Sequence, residues 1–345
     1  LMLRRPPRST LFPYTTLFRS QLMTTAGMLS YLLQGLLVPL CYYSILAVSL
    51  NLTVGILGEL SLGQAGFMCI GAFSSAFFSK CTVSAIPNTF IRFTLAILIG
   101  AICAGVFGIF IGMIVLRLQG DYLAIVTLAF GEIIKNVINA IYIGIDRKGI
   151  HFSLKDAASL NLLEDGMVII NGPQGITGTP QDTNFSVAAL LLILSFIIVS
   201  NLINSRSGRA IMAIRDNRIA AEAMGIDVSK FRILTFSVTA ALAGVAGVLY
   251  SHNISSLNAT PKNFGYNMSI MILVFVVLGG IGNIRGSIIA AVLLTILPEY
   301  LRFLKDYRML IYAIVLIIMM IMFRNGSGTD NSGLILDVVY PKAYA

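Results

Sequence analysis

"AIRDNRIAAEAMGIDVSKF" (Ala213–Phe231) is a charged, helix-favouring run between two stretches, Phe185–Ile203 and Ile233–Ser251, that hold no charge at all. From Ser205 to Arg232 the chain carries six basic and three acidic residues. Each flank is close to the length that crosses a bilayer, about 20 apolar residues. Phe93–Leu116 is a third uncharged run. Only 11% of the 345 residues are charged and 57% are hydrophobic, whereas a soluble domain carries about 25% charged residues. The chain therefore reads as an all-α polytopic membrane protein, and the charged run as a loop outside the lipid.

Hydropathy punctuated by charge gives nine segments, near 29–50, 56–79, 91–116, 122–143, 185–203, 233–251, 264–281, 287–301 and 309–323. The second contains "VGILGELSLGQAGFMCIGAF" (Val54–Phe73), with five glycines beside Glu59, Ser61 and Gln64. Small residues let helices approach closely in lipid. Glycine-rich, polar-bearing segments are also where transporters interrupt a helix to line a path. Both readings stand at this level. A second glycine cluster, "LGGIGNIRGSIIAA" (Leu278–Ala291), echoes the first and is compatible with an internal duplication.

Basic loops face the cytoplasm, which puts 205–232 inside. Counting outward, "LRLQGD" (Leu116–Asp121) and "GNIRG" (Gly282–Gly286) also fall inside. The polar segment 144–184, with "NGPQGITGTPQDTN" (Asn171–Asn184), then forms an external loop long enough for a small cap. Arg302, Lys305 and Arg308 fall outside, against the rule. Residues 1–20 resemble translated sequencing-adapter read-through, without the apolar core of a signal peptide. The organisation expected is a non-native-looking tail over 1–20, a permease-like membrane domain over 21–325 and a polar C-terminal tail over 326–345. Ser30 comes out external, so nine spans of a ten-span protein are expected, with the first one lost.

The net charge of +9 reads as loop bias and attraction to lipid, with no basic–aromatic stripe to suggest nucleic acid. Cys41, Cys69, Cys81 and Cys103 lack metal-ligand spacing, and His151 and His252 stand alone. No metal site, catalytic set or bound cofactor is expected. The phosphate-binding pattern G-x-x-x-x-G-K-[ST] does not occur, so any ATP would be used by partner subunits. Glu132 and Lys135 share one helical face and can pair with each other. Glu59, Ser61 and Gln64, with Gly58, are the other candidates for a polar lining. Within the loop, Ile211, Ile214, Ile219 and Met224 repeat as on an amphipathic helix from Arg209 to Gly225, with Gly225 as its stop. Such a helix can lie on the membrane surface or dock on another protein.

"SGRAIMAIRDNRIAAEAMGIDVSKFRILTFSVTAALAGVAGVLY" (Ser207–Tyr250) resembles the EAA-type loop of bacterial ABC-importer permeases, and within them the branched-chain amino-acid permeases of LivM-like type. "LAVSLNLTVGILGELSLGQAGFMCIGAF" (Leu46–Phe73), "LRLQGDYLAIVTLAFGEIIKNV" (Leu116–Val137) and "VLGGIGNIRGSIIAAVLLTILPEYLR" (Val277–Arg302) agree in order. The resemblance implies a type II importer bundle in the bacterial cytoplasmic (inner) membrane. It also implies a second, LivH-like permease subunit, two ATPase subunits and an extracytoplasmic substrate-binding protein. Contact with the ATPase would fall to Arg215, Asp216, Asn217, Ala221, Glu222, Ala223, Met224 and Gly225. The candidate translocation path would include Gly58, Glu59, Ser61, Gln64 and Glu132. Urea or short-chain amides as cargo, and an ion-coupled secondary transporter using Glu59 and Glu132, are the alternatives.

Overall fold

The computed structural model describes residues 31–83, 86–115, 121–146, 149–160, 166–301 and positions 311, 313, 314 and 317. The tail over 1–20, most of "LRLQGD", the three outer basic residues, most of the ninth segment and the C-terminal tail lie outside the described residues.

Helix α1, Tyr31–Asn51, is mostly apolar and carries Pro39. One turn of π-helix, Leu52–Leu57, continues it with all six residues buried. Gly58 (φ 79°) then stops the winding, and Gly58–Gly63 is not helical. The chain resumes as α2, Gln64–Thr82. The glycine-rich segment is thus an interruption, and Ile56 and Leu57 belong to the preceding helix, not to the second span. Close packing holds as well: a Cβ at Gly71 of α2 would lie 2.4 Å from the Gly244 Cα.

Helix α3, Thr89–Val115, and α4, Asp121–Ala140, follow. The next segment builds an antiparallel sheet of β1, Tyr142–Asp146, β2, Gly149–Ser153, and β3, Met167–Asn171, in the order β2-β1-β3. Strand β4, Ile176–Thr177, pairs with β5, Ser256–Leu257. The expected cap is therefore a small β-structure added to the helical bundle. Helix α5, Phe185–Asn204, leaves the cap and reaches the charged loop. There α6, Arg206–Asp216, and α7, Arg218–Ala223, lead into α8, Val228–Ser251, which returns to the cap side at β5. Because α5 and α8 both join loop to cap, these lie at opposite ends of the bundle. A short helix α9, Pro261–Phe264, breaks at Gly265 before α10, Tyr266–Gly279, and α11, Ile284–Tyr300, completes the described elements.

Among the described residues six helical stretches are long and apolar enough to cross a membrane: 35–57, 89–114, 122–140, 185–204, 228–251 and 261–279. The expected second and eighth spans appear as α2 and α11, which fall outside that set. Helix α8 sits centrally and packs most extensively on α3 and α2. Hydroxyls fasten the packing: Thr53 Oγ1 meets Thr239 Oγ1 at 2.9 Å, and Ser75 Oγ meets Ser251 Oγ at 3.1 Å. In lipid such interhelical bonds contribute about 0.6 kcal/mol each.

Candidate functional site

Ser205 turns the chain out of α5 in an extended conformation, and its Oγ accepts from the Gly208 amide at 3.2 Å to start α6. The single helix expected from Arg209 to Gly225 is broken at Asn217 (φ −157°, ψ 104°). The Asn217 Oδ1 accepts from the Ala220 amide at 3.1 Å, so the residue caps α7 and is not interior to one long helix. Asparagine side chains offer the backbone this alternative to helical pairing. Helix α7 ends where expected. The Ile226 amide donates to Ala221 O and the Gly225 amide to Glu222 O, both at 3.0 Å, with Gly225 at φ 81°. This double closure needs the left-handed conformation that glycine adopts without cost. Asp227 Oδ1 then accepts from the Lys230 amide at 3.1 Å, so α8 begins at Val228 and includes Lys230 and Arg232.

The break divides the apolar stripe. Ile211 and Ile214 are 0% and 6% exposed, whereas Ile219 and Met224 are 79% and 83% exposed. Asp216, Asn217, Glu222, Ala223 and Gly225 share that exposed surface, while Ala221 is buried. Arg218 Nε meets Glu222 Oε1 at 3.1 Å one turn on, which braces α7 from outside.

Arg215 points the other way. Its Nη1 donates to the Gly55 carbonyl at 3.0 Å, and its side chain lies over Gly58, where a Cβ would come within 2.5 Å of the Arg215 Cγ. Beside it Glu59 is ion-paired with Arg232, which is 3% exposed. Behind Gly55 lies the second glycine cluster: a Cβ on Gly55 would meet the Gly282 amide nitrogen at 2.4 Å. Asn51 Oδ1 accepts from that amide at 2.8 Å, and its Nδ2 donates to Ser287 Oγ at 2.9 Å. The two clusters that echo each other in sequence are therefore in contact.

The remaining path candidates separate. Ser61 is buried, and the buried Gln64 donates to Ser49 Oγ. Glu132 pairs with Lys135 as its spacing suggests. Its Oε1 also accepts from the amide of Tyr266, the first residue of α10, at 2.8 Å. It does not meet Glu59, so the two carboxylates expected to work together occupy different sites. Asn136, next on α4, is exposed on a helix long and apolar enough to span. Sequence reasoning missed Asn51 and Arg232. A lone amide inside an apolar run was the available signal for Asn51.

An interrupted helix, a polar loop fastened to the interruption and an exposed apolar edge on that loop belong to a multi-pass membrane protein. The family model described as "Branched-chain amino acid transport system / permease component" matches residues 32–321, and the chain belongs to this family. It is 33% identical over 290 residues to the high-affinity branched-chain amino acid transport system permease protein LivM of Salmonella typhimurium, covering 81% of this chain and 66% of the relative. Against LivM of Escherichia coli the identity is 33% over 288 residues, with 81% and 66% covered. A probable LivM of Methanocaldococcus jannaschii is 26% identical over 282 residues, covering 71% and 74%. The chain thus spans slightly under two thirds of the length of the two enterobacterial relatives. No solved structure matches. These relatives are transport subunits and not enzymes by name.

Proposed function

We propose that the chain is the membrane permease subunit of an ATP-binding-cassette importer that moves branched-chain or related amino acids across a bacterial cytoplasmic membrane. The cargo passes chemically unaltered. Separate ATPase subunits dock on the loop 205–232, a second LivH-like permease subunit completes the path, and an extracytoplasmic binding protein delivers cargo at the β-structured cap. One observation carries the reading: Ile219 and Met224 are held outward at α7 on a loop that buries Ile211, Ile214 and Val228. Exposed apolar side chains rimmed by Asp216, Glu222 and Arg218 suit a protein groove. Asp216, Asn217, Glu222, Ala223, Met224 and Gly225 form the docking face, whereas Ala221 and Arg215 support it from behind.

The path is assigned to the α4 side that bears Glu132 and Asn136, because a polar group exposed on a spanning helix, as Asn136 is, needs a cavity or a partner. Gly58, Glu59, Ser61 and Gln64 lie at the loop end of that path. Deletion of Ile219–Gly225 should abolish ATP-driven uptake of labelled leucine while leaving the protein in the membrane. Unchanged uptake would remove the docking role. Uptake that survives collapse of ion gradients and fails on ATP depletion separates this machine from a secondary transporter, and competition by unlabelled urea tests the cargo.

A further inference from the structure

The loop touches the interrupted helix at two points and in two chemistries. Arg215, at the end of α6, donates to the carbonyl of Gly55 at 3.0 Å, 160 residues away in sequence. That carbonyl lies in the last turn before Gly58, where a helix has no onward amides to bond. Arg232, in the first turns of α8, pairs with Glu59 immediately after the break. Arg215 and Arg232 thus flank α7, one on each side in the chain, and both hold the four-residue stretch Gly55–Gly58 and its neighbour Glu59. The contacts continue inward. Gly55 is in backbone contact with Gly282, and Asn51 holds the Gly282 amide and Ser287 together.

We propose that Arg215 and the Glu59–Arg232 pair form a two-point latch, which ties the position of the docking loop to the interruption between α1 and α2 and, through Gly55 and Asn51, to the turn between α10 and α11. The inference rests on the docking reading and adds the positioning residues that would act behind it. Side chains at a helix break suit this task. An unpaired carbonyl gains a donor in one arrangement and loses it in another, so the energy is concentrated in two discrete states. The Arg215 side chain is 39% exposed and pairs with Asp216 on the docking face, while its Nη1 reaches the buried Gly55 carbonyl, so one guanidinium joins the two. Arg232 is 3% exposed and Glu59 18%, so loss of the Glu59 carboxylate strands the buried Arg232 charge.

The test is leucine transported per ATP hydrolysed, measured on the purified importer with its binding protein in proteoliposomes. Lost assembly then lowers yield and not the ratio. Arg215→Ala, and separately the neutral double replacement Glu59→Gln with Arg232→Gln, are expected to lower the ratio by about tenfold, within the usual span of coupling energies. The combined triple variant should fall little further, because both contacts hold one element. Should the double variant fail to assemble, Arg215→Ala and the charge-keeping Arg215→Lys decide the matter, and only the former should show the whole tenfold loss. Normal wild-type uptake with an unchanged ratio in Arg215→Ala overturns the latch alone. No ATP-driven leucine uptake by the wild-type complex overturns the transport reading and the latch with it.

Discussion

Helices α6 and α7 come from one amphipathic pattern and are used in opposite ways. In α6 the apolar residues Ile211 and Ile214 are buried in the protein's own core. In α7 and at the residue that ends it, their counterparts Ile219 and Met224 stand in the open. Asn217 makes the difference, since its extended backbone rotates the second helix off the face that the first one follows. One half of the loop is therefore structure and the other half is surface. An uninterrupted helix from Arg209 could not offer both so cleanly, because its single stripe would be buried or exposed as a unit.

The same substitution at two positions tests that division most strongly. Ile211→Ala should cost about 3 kcal/mol, the usual range for truncating a fully buried aliphatic side chain. Ile219→Ala should change stability by no more than about 0.5 kcal/mol, as expected of an exposed site. Thermal unfolding in detergent reads both, and equal losses would break the comparison. Next in size, Gly225→Ala forces a side chain into a left-handed conformation, at φ 81°, at a cost of about 1–2 kcal/mol. Because nothing lies within 4 Å of its added Cβ, the loss is conformational, and Gly225→Asn should recover part of it. Asn217→Ala removes the cap of α7 and should cost about 1 kcal/mol, whereas Asn217→Asp retains it. Helicity in an isolated 205–232 peptide offers a second readout for the cap. Smallest of all, Arg218→Ala removes an exposed pair one turn apart, worth about 0.3–0.5 kcal/mol and weakened further by salt.

What could be read from the sequence follows from distance along the chain. The loop itself, its stop at Gly225 and the Glu132–Lys135 pair depend on neighbours within one or two turns, and all are present. The break at Asn217 was not legible, since an asparagine within a helix-favouring run is capping or interior according to what its flanks pack against. Neither was the grouping of polar residues. Asn51 meets Gly282 and Ser287, which are 231 and 236 residues further on. Glu59 was grouped with Glu132 because both are carboxylates in apolar surroundings, but the fold gives each its own basic partner. The segment 144–184 was legible as a polar stretch between apolar helices, and its short strands were not. Of the glycine clusters, sequence showed the likeness and the fold supplies the contact between Gly55 and Gly282.

The central claim is that α7 is a docking surface and α6 its anchor. A photoreactive amino acid placed at Met224 in membranes holding the assembled importer reads this directly. Cross-linking to an ATPase subunit is expected at Met224 and at Ile219, with a yield that changes between ATP-bound and nucleotide-free conditions, and none at Ile211. Cross-links from Met224 to lipid alone, or equal yields at Met224 and Ile211, would contradict it.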